Sequence, residues 1–141
     1  GYHLVVHVWI RNSKGEYLIS QRSADRPSLP LMWECVGGSV LKGEDSLTGA
    51  IREVQEEVGV LLSAEHGRLV KSVVREEVNG VLFRDILDVW LFEYDGPVTL
   101  EQATTQEVAQ TAWMTKTEIQ QLLGHGKLVH TLSYFFETEG L

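Results

Sequence analysis

The alternation of apolar and polar residues predicts a first half made mainly of strands. Residues 3–10 (HLVVHVWI) and 16–22 (EYLISQR) are rich in β-branched and aromatic residues, and they flank a predicted turn at 12–15. Residues 23–32 contain two of the three prolines and predict a loop. Residues 33–38 (WECVGG) predict a short strand that runs into glycines.

The apolar period becomes helical from Asp45 or Ser46 to about Val58. Asp45 is a suitable N-cap, and Gly59 is the usual type of residue at a helix end. The apolar residues that share one face of this helix are Leu47, Ala50, Ile51, Val54 and Val58. This face is therefore expected to pack on the core.

The second half begins with a predicted hairpin. Residues 68–78 and 81–94 are two β-rich segments joined by Asn79-Gly80, which is the strongest short-range hairpin signal. A turn at 95–97 and a strand at about 108–114 follow.

Two helices are predicted near the C-terminus. The first covers residues 115–123 and begins with a capping box from Thr115 to Glu118, and the second covers about 129–137. This order of strands and helices predicts an α/β (α+β) fold with a mixed sheet covered on both faces.

Composition narrows the class of protein. The chain has 141 residues, which predicts one domain over 1–141, and its formal net charge of −8 argues against nucleic-acid polymers and anionic membranes as partners. A single cysteine, Cys35, favours a cytoplasmic setting. Because the chain starts at Gly1 within a predicted strand and lacks an initiator methionine, we expect a segment upstream of it. The sequence does not exclude a homodimer.

Three acids crowd the C-terminal half of the predicted helix 46–58. Glu53 is a helical neighbour of both Glu56 and Glu57, and the helix dipole disfavours negative charge at that end. Each effect costs a few tenths of a kcal/mol, up to roughly 1. A divalent cation such as Mg²⁺ would convert this repulsion into coordination, because it prefers oxygen ligands. The alternative is a solvated acidic helix face.

The residues around these acids resemble the Nudix box, here residues 38–60, without a departure. The fixed identities and aliphatic positions of that pattern are Gly38, Glu44, Arg52, Glu53, Val54, Glu56, Glu57, Gly59 and Val60. A chance match of the fixed identities is well below roughly one in a million. The resemblance implies a Nudix-type α/β/α sandwich. It also implies Mg²⁺- or Mn²⁺-dependent hydrolysis of a nucleoside diphosphate linked to another moiety, or of a similar organic diphosphate.

The resemblance also implies site residues. Glu53 and Glu57 would be metal ligands, Glu56 would be a ligand or the base that activates water, and the Gly37 carbonyl would be a further ligand. Gly38 would allow close approach of the backbone to the substrate.

Two further residues of the box would support the acids. Arg52 would hold them by ion pairing, and Glu44 would act from the preceding loop, through hydrogen bonds to the helix acids or through the water of a second metal. Which glutamate is the base varies within the family and stays open here.

The main alternative is an isomerase, because residues 2–23 resemble the branch that includes the Nudix-fold isopentenyl-diphosphate isomerases. Those enzymes need Cys-Gly-His where this chain has Gly37, Gly38 and Ser39. Cys35 lies two residues earlier, an offset of roughly 6–7 Å along a strand, which is too far for a proton donor. We therefore expect Cys35 to be a core residue.

His3 and His7 share a predicted strand face, but without the later histidine we expect them to be ordinary strand residues. Another alternative is a non-catalytic nucleotide-binding module, which usually lacks one of the box acids; none is lost here.

Several residues outside the box are candidate substrate contacts. Trp33 could stack on a base, while Arg22, Arg26 and Lys42 could meet phosphates. Glu107 is an auxiliary acid candidate, and Trp90 and Phe92 are expected in the core. The sequence leaves nucleoside triphosphates, nucleotide sugars and prenyl diphosphates open as substrates.

Overall fold

Seven strands form one mixed sheet in the computed structural model, which describes residues 2–141. The strands are β1 (His3–Arg11), β2 (Tyr17–Arg22), β3 (Trp33–Glu34), β4 (Val36–Ser39), β5 (Gly67–Val78), β6 (Val81–Glu93) and β7 (Val108–Met114). The order along the sheet is β3-β2-β1-β6-β5, with β4 paired to β1 and β7 paired to β2. Strand β1 runs parallel to β6 and antiparallel to β4.

Two α-helices and three 3₁₀ segments complete the fold of residues 2–141. The helices are α1 (Ser46–Val58) and α2 (Lys116–Gly124), and the 3₁₀ segments are Ala64–His66, Leu100–Gln102 and His130–Phe136. Within residues 2–141, neither helix is long and apolar enough to cross a bilayer.

The core consists of two layers, one on each face of the sheet. Alternate residues of β1 point to opposite faces, so Val6, Val8 and Ile10 pack with α1, while Trp9 packs with Phe135 of the C-terminal segment, residues 128–141. Trp90 and Phe92 lie in the α1 layer, where Trp90 donates to the Ser46 hydroxyl at 2.9 Å. The predicted mixed sheet with both faces covered is confirmed.

Helix α1 begins and ends where the sequence predicts. The Asp45 Oδ1 accepts a hydrogen bond from the Thr48 N–H at 2.8 Å, which satisfies one of the free donors at the helix start. Gly59 has a φ of +70° and its N–H bonds to the Gln55 carbonyl, so a left-handed residue ends the helix. These two caps fix the length of the helix and therefore the position of its acids.

The structure differs from the sequence prediction in two places. The strand predicted at 33–38 is split at Cys35, because Glu34 pairs with Ser20 of β2 whereas Val36 pairs with Val8 of β1. The last helix, predicted at 129–137, is a 3₁₀ segment over His130–Phe136. Its two buried residues, Leu132 and Phe135, are three apart, which is the spacing that a 3₁₀ turn aligns.

Candidate active site

A cavity of about 350 Å³ lies beside β4, between the C-terminal half of α1 and the C-terminal segment. Four carboxylic acids and two arginines share its wall with backbone and apolar groups. The lining residues are His7, Arg22, Arg26, Glu34, Cys35, Gly37, Gly38, Glu53, Glu57, Glu107 and Leu132. Seven of the candidates from the sequence therefore meet here, together with four residues to which the sequence assigned no functional role.

The backbone of β4 faces this cavity with alternate peptide groups. The Val40 N–H donates to the Leu4 carbonyl at 2.9 Å, so the backbone N–H and C=O groups of Val40, and of every second residue before it, point toward β1. The backbone N–H and C=O groups of Ser39 and Gly37 consequently point away from β1, and Arg52 Nη2 donates to the Ser39 carbonyl at 3.0 Å on that side. Because the N–H and C=O of a strand residue point the same way, the Gly37 carbonyl also lies on the side of α1 and the cavity.

Glu57 is the most buried acid of α1. Only 9% of the residue is exposed, and it forms no salt bridge with any part of the chain that the structure describes. Burial, reinforced by the nearby charges of Glu53, Glu34 and Glu107, raises the pKa of Glu57 to about 9, against a smaller opposing effect of the Gly37 backbone. The carboxyl is thus protonated at neutral pH unless a cation replaces the proton.

Glu53 lies directly over Gly38. A Cβ at Gly38 would be 2.4 Å from the Glu53 carboxyl carbon, so only glycine leaves this space to the carboxylate. Burial raises the pKa of Glu53, and the ion pair with Arg52, 3.1 Å between Nη1 and Oε1, opposes that rise. Burial is the larger of the two effects, so the partly buried Glu53 carboxyl beside the cavity is a weaker acid than usual.

Arg52 joins three acids of the box. Its Nε and Nη2 donate to the two oxygens of Glu44 at 2.9 and 3.0 Å, and its Nη1 lies 2.9 Å from Glu56 Oε2 and 3.1 Å from Glu53 Oε1. The Arg52 bond, followed by the Leu41 N–H, lowers the pKa of Glu44. One guanidinium therefore holds the side chains of Glu44, Glu53 and Glu56 by ion pairing.

The three helix acids occupy three different environments, although the sequence suggested one shared face. Glu57 is buried, Glu53 is 15% exposed at its side chain, and Glu56 is 39% exposed, bonded to Arg52 and absent from the cavity wall. In the described chain no three His, Cys, Asp or Glu side chains are close enough together to enclose a metal ion as they stand.

Arg22 and Glu34 form the wall opposite α1. Arg22 Nη1 lies 3.1 Å from Glu34 Oε2, and the other guanidinium nitrogens donate to the carbonyls of Ser28 and Leu29 in the preceding loop. Burial raises the pKa of Glu34, with Arg22 acting against the shift. Arg22 thus reaches the cavity, as the sequence suggested, but most of its donors hold the loop 23–32. No pattern in the sequence indicated a role for Glu34.

Arg26 and Glu107 form a second pair at the cavity. Arg26 Nη1 lies 3.2 Å from Glu107 Oε2, and the Glu107 side chain is 47% exposed. Trp33 instead packs against the core beside Leu128 and does not line the cavity. Lys42 is exposed and also lies outside the cavity wall.

Cys35 and His7 also reach the cavity, although we expected neither there. Cys35 is 3% exposed and belongs to the core, as predicted, and burial raises the pKa of its thiol well above the usual value. His7 is held by a hydrogen bond between its Nδ1 and the Tyr134 hydroxyl at 2.8 Å. Burial, followed by the charge of Arg75, lowers the pKa of His7 to about 3. His3 is exposed at the start of β1.

The structure is thus an α/β/α protein with an acidic, glycine-edged cavity beside its motif-bearing helix. The NUDIX domain family model matches residues 1–134. The chain belongs to the Nudix family and is a Nudix hydrolase.

Relatives and solved structures agree with this assignment. An uncharacterized Nudix hydrolase of Listeria monocytogenes is 38% identical over 137 residues, which cover 95% of this chain and 74% of the relative. One of Listeria innocua is 35% identical over 135 residues, with the same coverage of 95% and 74%. The crystal structure of a MutT protein from Methanosarcina mazei Go1 superposes with a TM-score of 0.70 at 27% identity, covering 96% of this chain and 91% of that one.

Proposed function

We propose that the protein hydrolyses the diphosphate linkage of a nucleoside diphosphate joined to another group, or of a similar organic diphosphate, with Mg²⁺ or Mn²⁺ as cofactor. One observation carries this proposal: the carboxyls of Glu53 and Glu57 and the backbone of Gly37 meet at one cavity. Membership of the Nudix family supports a small diphosphate-containing substrate.

The donor set suits a hard divalent cation. Carboxylates and a backbone carbonyl are the oxygen ligands that Mg²⁺ and Mn²⁺ prefer. Glu57 in particular is a buried acid without a cationic partner in the described chain, and a bound cation would stabilise its charged form. Glu53, Glu57 and the Gly37 carbonyl would hold the ion, and Glu56 would either join them by turning from Arg52 or stay on Arg52 as a candidate base. When bound, the ion supplies positive charge that offsets the negative charge of the phosphate oxygens.

The remaining residues would position and activate the reactants. In the reaction a water oxygen bonds to one phosphorus, the bridging P–O bond breaks, and the water proton passes to a carboxylate. Glu53 and Glu56 are the candidate bases, and Arg52 with Glu44 would fix their orientation. pH–rate profiles of Glu53→Gln and Glu56→Gln distinguish the two, because loss of the base removes the acidic limb of the profile.

The two arginines offer positive charge to the substrate. Arg26 is paired with a half-exposed acid, Glu107, and we propose that it contacts a phosphate. Arg22 would contribute its charge from the cavity wall while it holds the loop 23–32. Gly38 would let the substrate approach β4.

The experiment that tests this function is a panel of diphosphates assayed with Mg²⁺ for release of phosphate or pyrophosphate. The panel contains nucleoside triphosphates, nucleotide sugars and prenyl diphosphates. We expect turnover of one class, its loss in Glu53→Gln, and its retention in Glu101→Gln, which removes an exposed acid of the 3₁₀ segment Leu100–Gln102. Absence of turnover on every class by the folded wild type would contradict the proposal.

A further inference from the structure

His7 lies in an arrangement that determines which of its nitrogens carries the proton. The Tyr134 hydroxyl has two hydrogen-bond partners among residues 2–141: the Trp9 Nε1 at 2.9 Å and the His7 Nδ1 at 2.8 Å. An indole N–H can only donate, so the Tyr134 oxygen accepts from Trp9. Among residues 2–141 the hydroxyl proton of Tyr134 has no other acceptor within hydrogen-bond distance, so the arrangement that pairs every donor has Tyr134 donating to an unprotonated His7 Nδ1. A neutral ring with a bare Nδ1 carries its one proton on Nε2.

The packing around Tyr134 makes this chain of donors rigid. Its ring stacks beside the His7 ring with 17° between their planes and meets the Trp9 ring edge-on at 83°. The Lys71 ammonium lies 4.7 Å from the Tyr134 ring centroid on the outer side and bonds to Thr138 at 3.0 Å. These contacts leave the hydroxyl little freedom to choose another acceptor.

The protonated edge of the His7 ring faces the cavity because Gly37 has no side chain. His7 and Gly37 are direct partners in the antiparallel pair of β1 and β4, so their Cβ directions share one face. A Cβ at Gly37 would lie 3.1 Å from His7 Cδ2 and 3.8 Å from Nε2. Any larger residue would therefore cover the edge that carries Nε2, and both residues line the cavity.

We propose that His7 presents its Nε2–H as a fixed hydrogen-bond donor to a phosphate oxygen of the diphosphate, and that Trp9 and Tyr134 hold it in this tautomer. The inference rests on the proposed function, since it names a contact made by that substrate. A protonated Nε2 has no lone pair for a metal ion, so His7 contacts the anionic substrate and does not coordinate the cation. The carboxylates of the cavity repel a diphosphate, and a neutral hydrogen-bond donor attracts it. Unlike a cationic side chain, such a donor does not form an ion pair with the carboxylates.

The tautomer and the contact can be observed directly by ¹H–¹⁵N spectra of protein labelled at histidine nitrogen. We expect a bare Nδ1 and a protonated Nε2 for His7, unchanged by Mg²⁺ alone. Methylenediphosphonate, a non-hydrolysable diphosphate, added with Mg²⁺ should shift the Nε2–H resonance. An Nδ1-protonated ring, or loss of the Nε2 proton on addition of Mg²⁺, would overturn the inference.

The backbone amides separate failure of this inference from failure of the proposed function. If the amides of Gly37 and Gly38 shift with methylenediphosphonate while the His7 Nε2–H does not, the diphosphate binds without His7 and only the inference fails. If neither shifts, the site does not bind a diphosphate, and the proposed function fails together with the inference.

Variants test the same contact by affinity. His7→Leu should weaken methylenediphosphonate binding about 10- to 100-fold, the usual effect of losing one hydrogen bond to a charged group. Tyr134→Phe should leave the ring present but free to exchange tautomers, with both forms in the spectrum and a smaller loss of affinity. Tyr17→Phe is the control, because Tyr17 belongs to the core layer against which Tyr134 packs and does not bond to His7. Wild-type affinity in Tyr134→Phe with an unchanged tautomer would show that Tyr134 does not position His7.

Discussion

The Glu53 carboxylate fills the space that a side chain at Gly38 would occupy, with 2.4 Å between the carboxyl carbon and the position of a Cβ. Gly38→Ala should therefore displace Glu53 rather than disrupt β4, because the crowded atoms are the end of a flexible side chain. We expect turnover to fall about 100-fold, as for other small misplacements of reacting groups, with little change in melting temperature.

The matched control is Gly124→Ala. A Cβ at Gly124 meets nothing within 4 Å, and the residue ends α2 far along the chain from the box. Activity should be unchanged there. Wild-type turnover in Gly38→Ala would show that the position of Glu53 is not needed for the reaction.

Removing Arg52 should reduce activity without removing any acid. Arg52→Gln loses the ionic bonds that orient Glu44, Glu53 and Glu56, and we expect metal affinity or turnover to fall about 10- to 100-fold. Arg11→Gln provides the comparison, since Arg11 pairs with the half-exposed Glu93 at the end of the parallel strands β1 and β6. Equal activity in both variants would contradict the positioning role of Arg52.

The buried acid Glu57 should make the metal-free protein less stable as pH rises. Its pKa is raised from 4.5 to about 9 on folding, mainly by burial, so the unfolded chain releases this proton at lower pH than the folded one. The contribution of protonated Glu57 to the free energy of unfolding is complete below about pH 4.5. It is lost progressively up to about pH 9, by at most about 1.4 kcal/mol per pH unit.

Urea unfolding in EDTA at pH 5, 7 and 9 measures this loss. We expect Glu57→Gln to show a flatter dependence and to be more stable than the wild type at pH 7 and above. Saturating Mg²⁺ should reverse that order, because the wild type gains the binding free energy on folding. A parallel pH dependence in the two proteins would show that Glu57 ionises normally.

Cys35 tests the isomerase alternative. The thiol lines the cavity, but it lies two residues before the cysteine position of the isomerases, too far for a proton donor, and its raised pKa also makes it a poor nucleophile or base at neutral pH. Cys35→Ala should leave hydrolytic turnover within a few-fold of wild type, at a stability cost on the order of 1 kcal/mol. Loss of activity in a folded variant would restore the thiol-dependent mechanism.

Much of the fold could be predicted, because the caps and turns that bound its elements are formed by residues close together in the sequence. The Asp45 cap, the Gly59 end, the Asn79-Gly80 turn and the Thr115 capping box are each present in the structure. The split at Cys35 could not be predicted, since it depends on a change of pairing partner between distant strands.

The candidate site could be predicted only in part, because it also depends on contacts between residues that are distant in the sequence. The box names Glu53 and Glu57, but the burial of Glu57, which is the largest cause of its raised pKa, depends on packing between α1 and β4. Glu34 and His7 reach the cavity through tertiary contacts that no spacing along the chain reveals. Trp33, adjacent to the glycines in sequence, packs instead with the C-terminal segment.

The most direct test of the account is calorimetric titration of the full chain with Mg²⁺. We expect saturable binding to the wild type, loss of binding in Glu53→Gln plus Glu57→Gln, and normal binding in Glu101→Gln plus Glu139→Gln, which removes the same charge from exposed positions. Unchanged binding in the first double variant would place the metal elsewhere and contradict the assignment of this cavity as the active site.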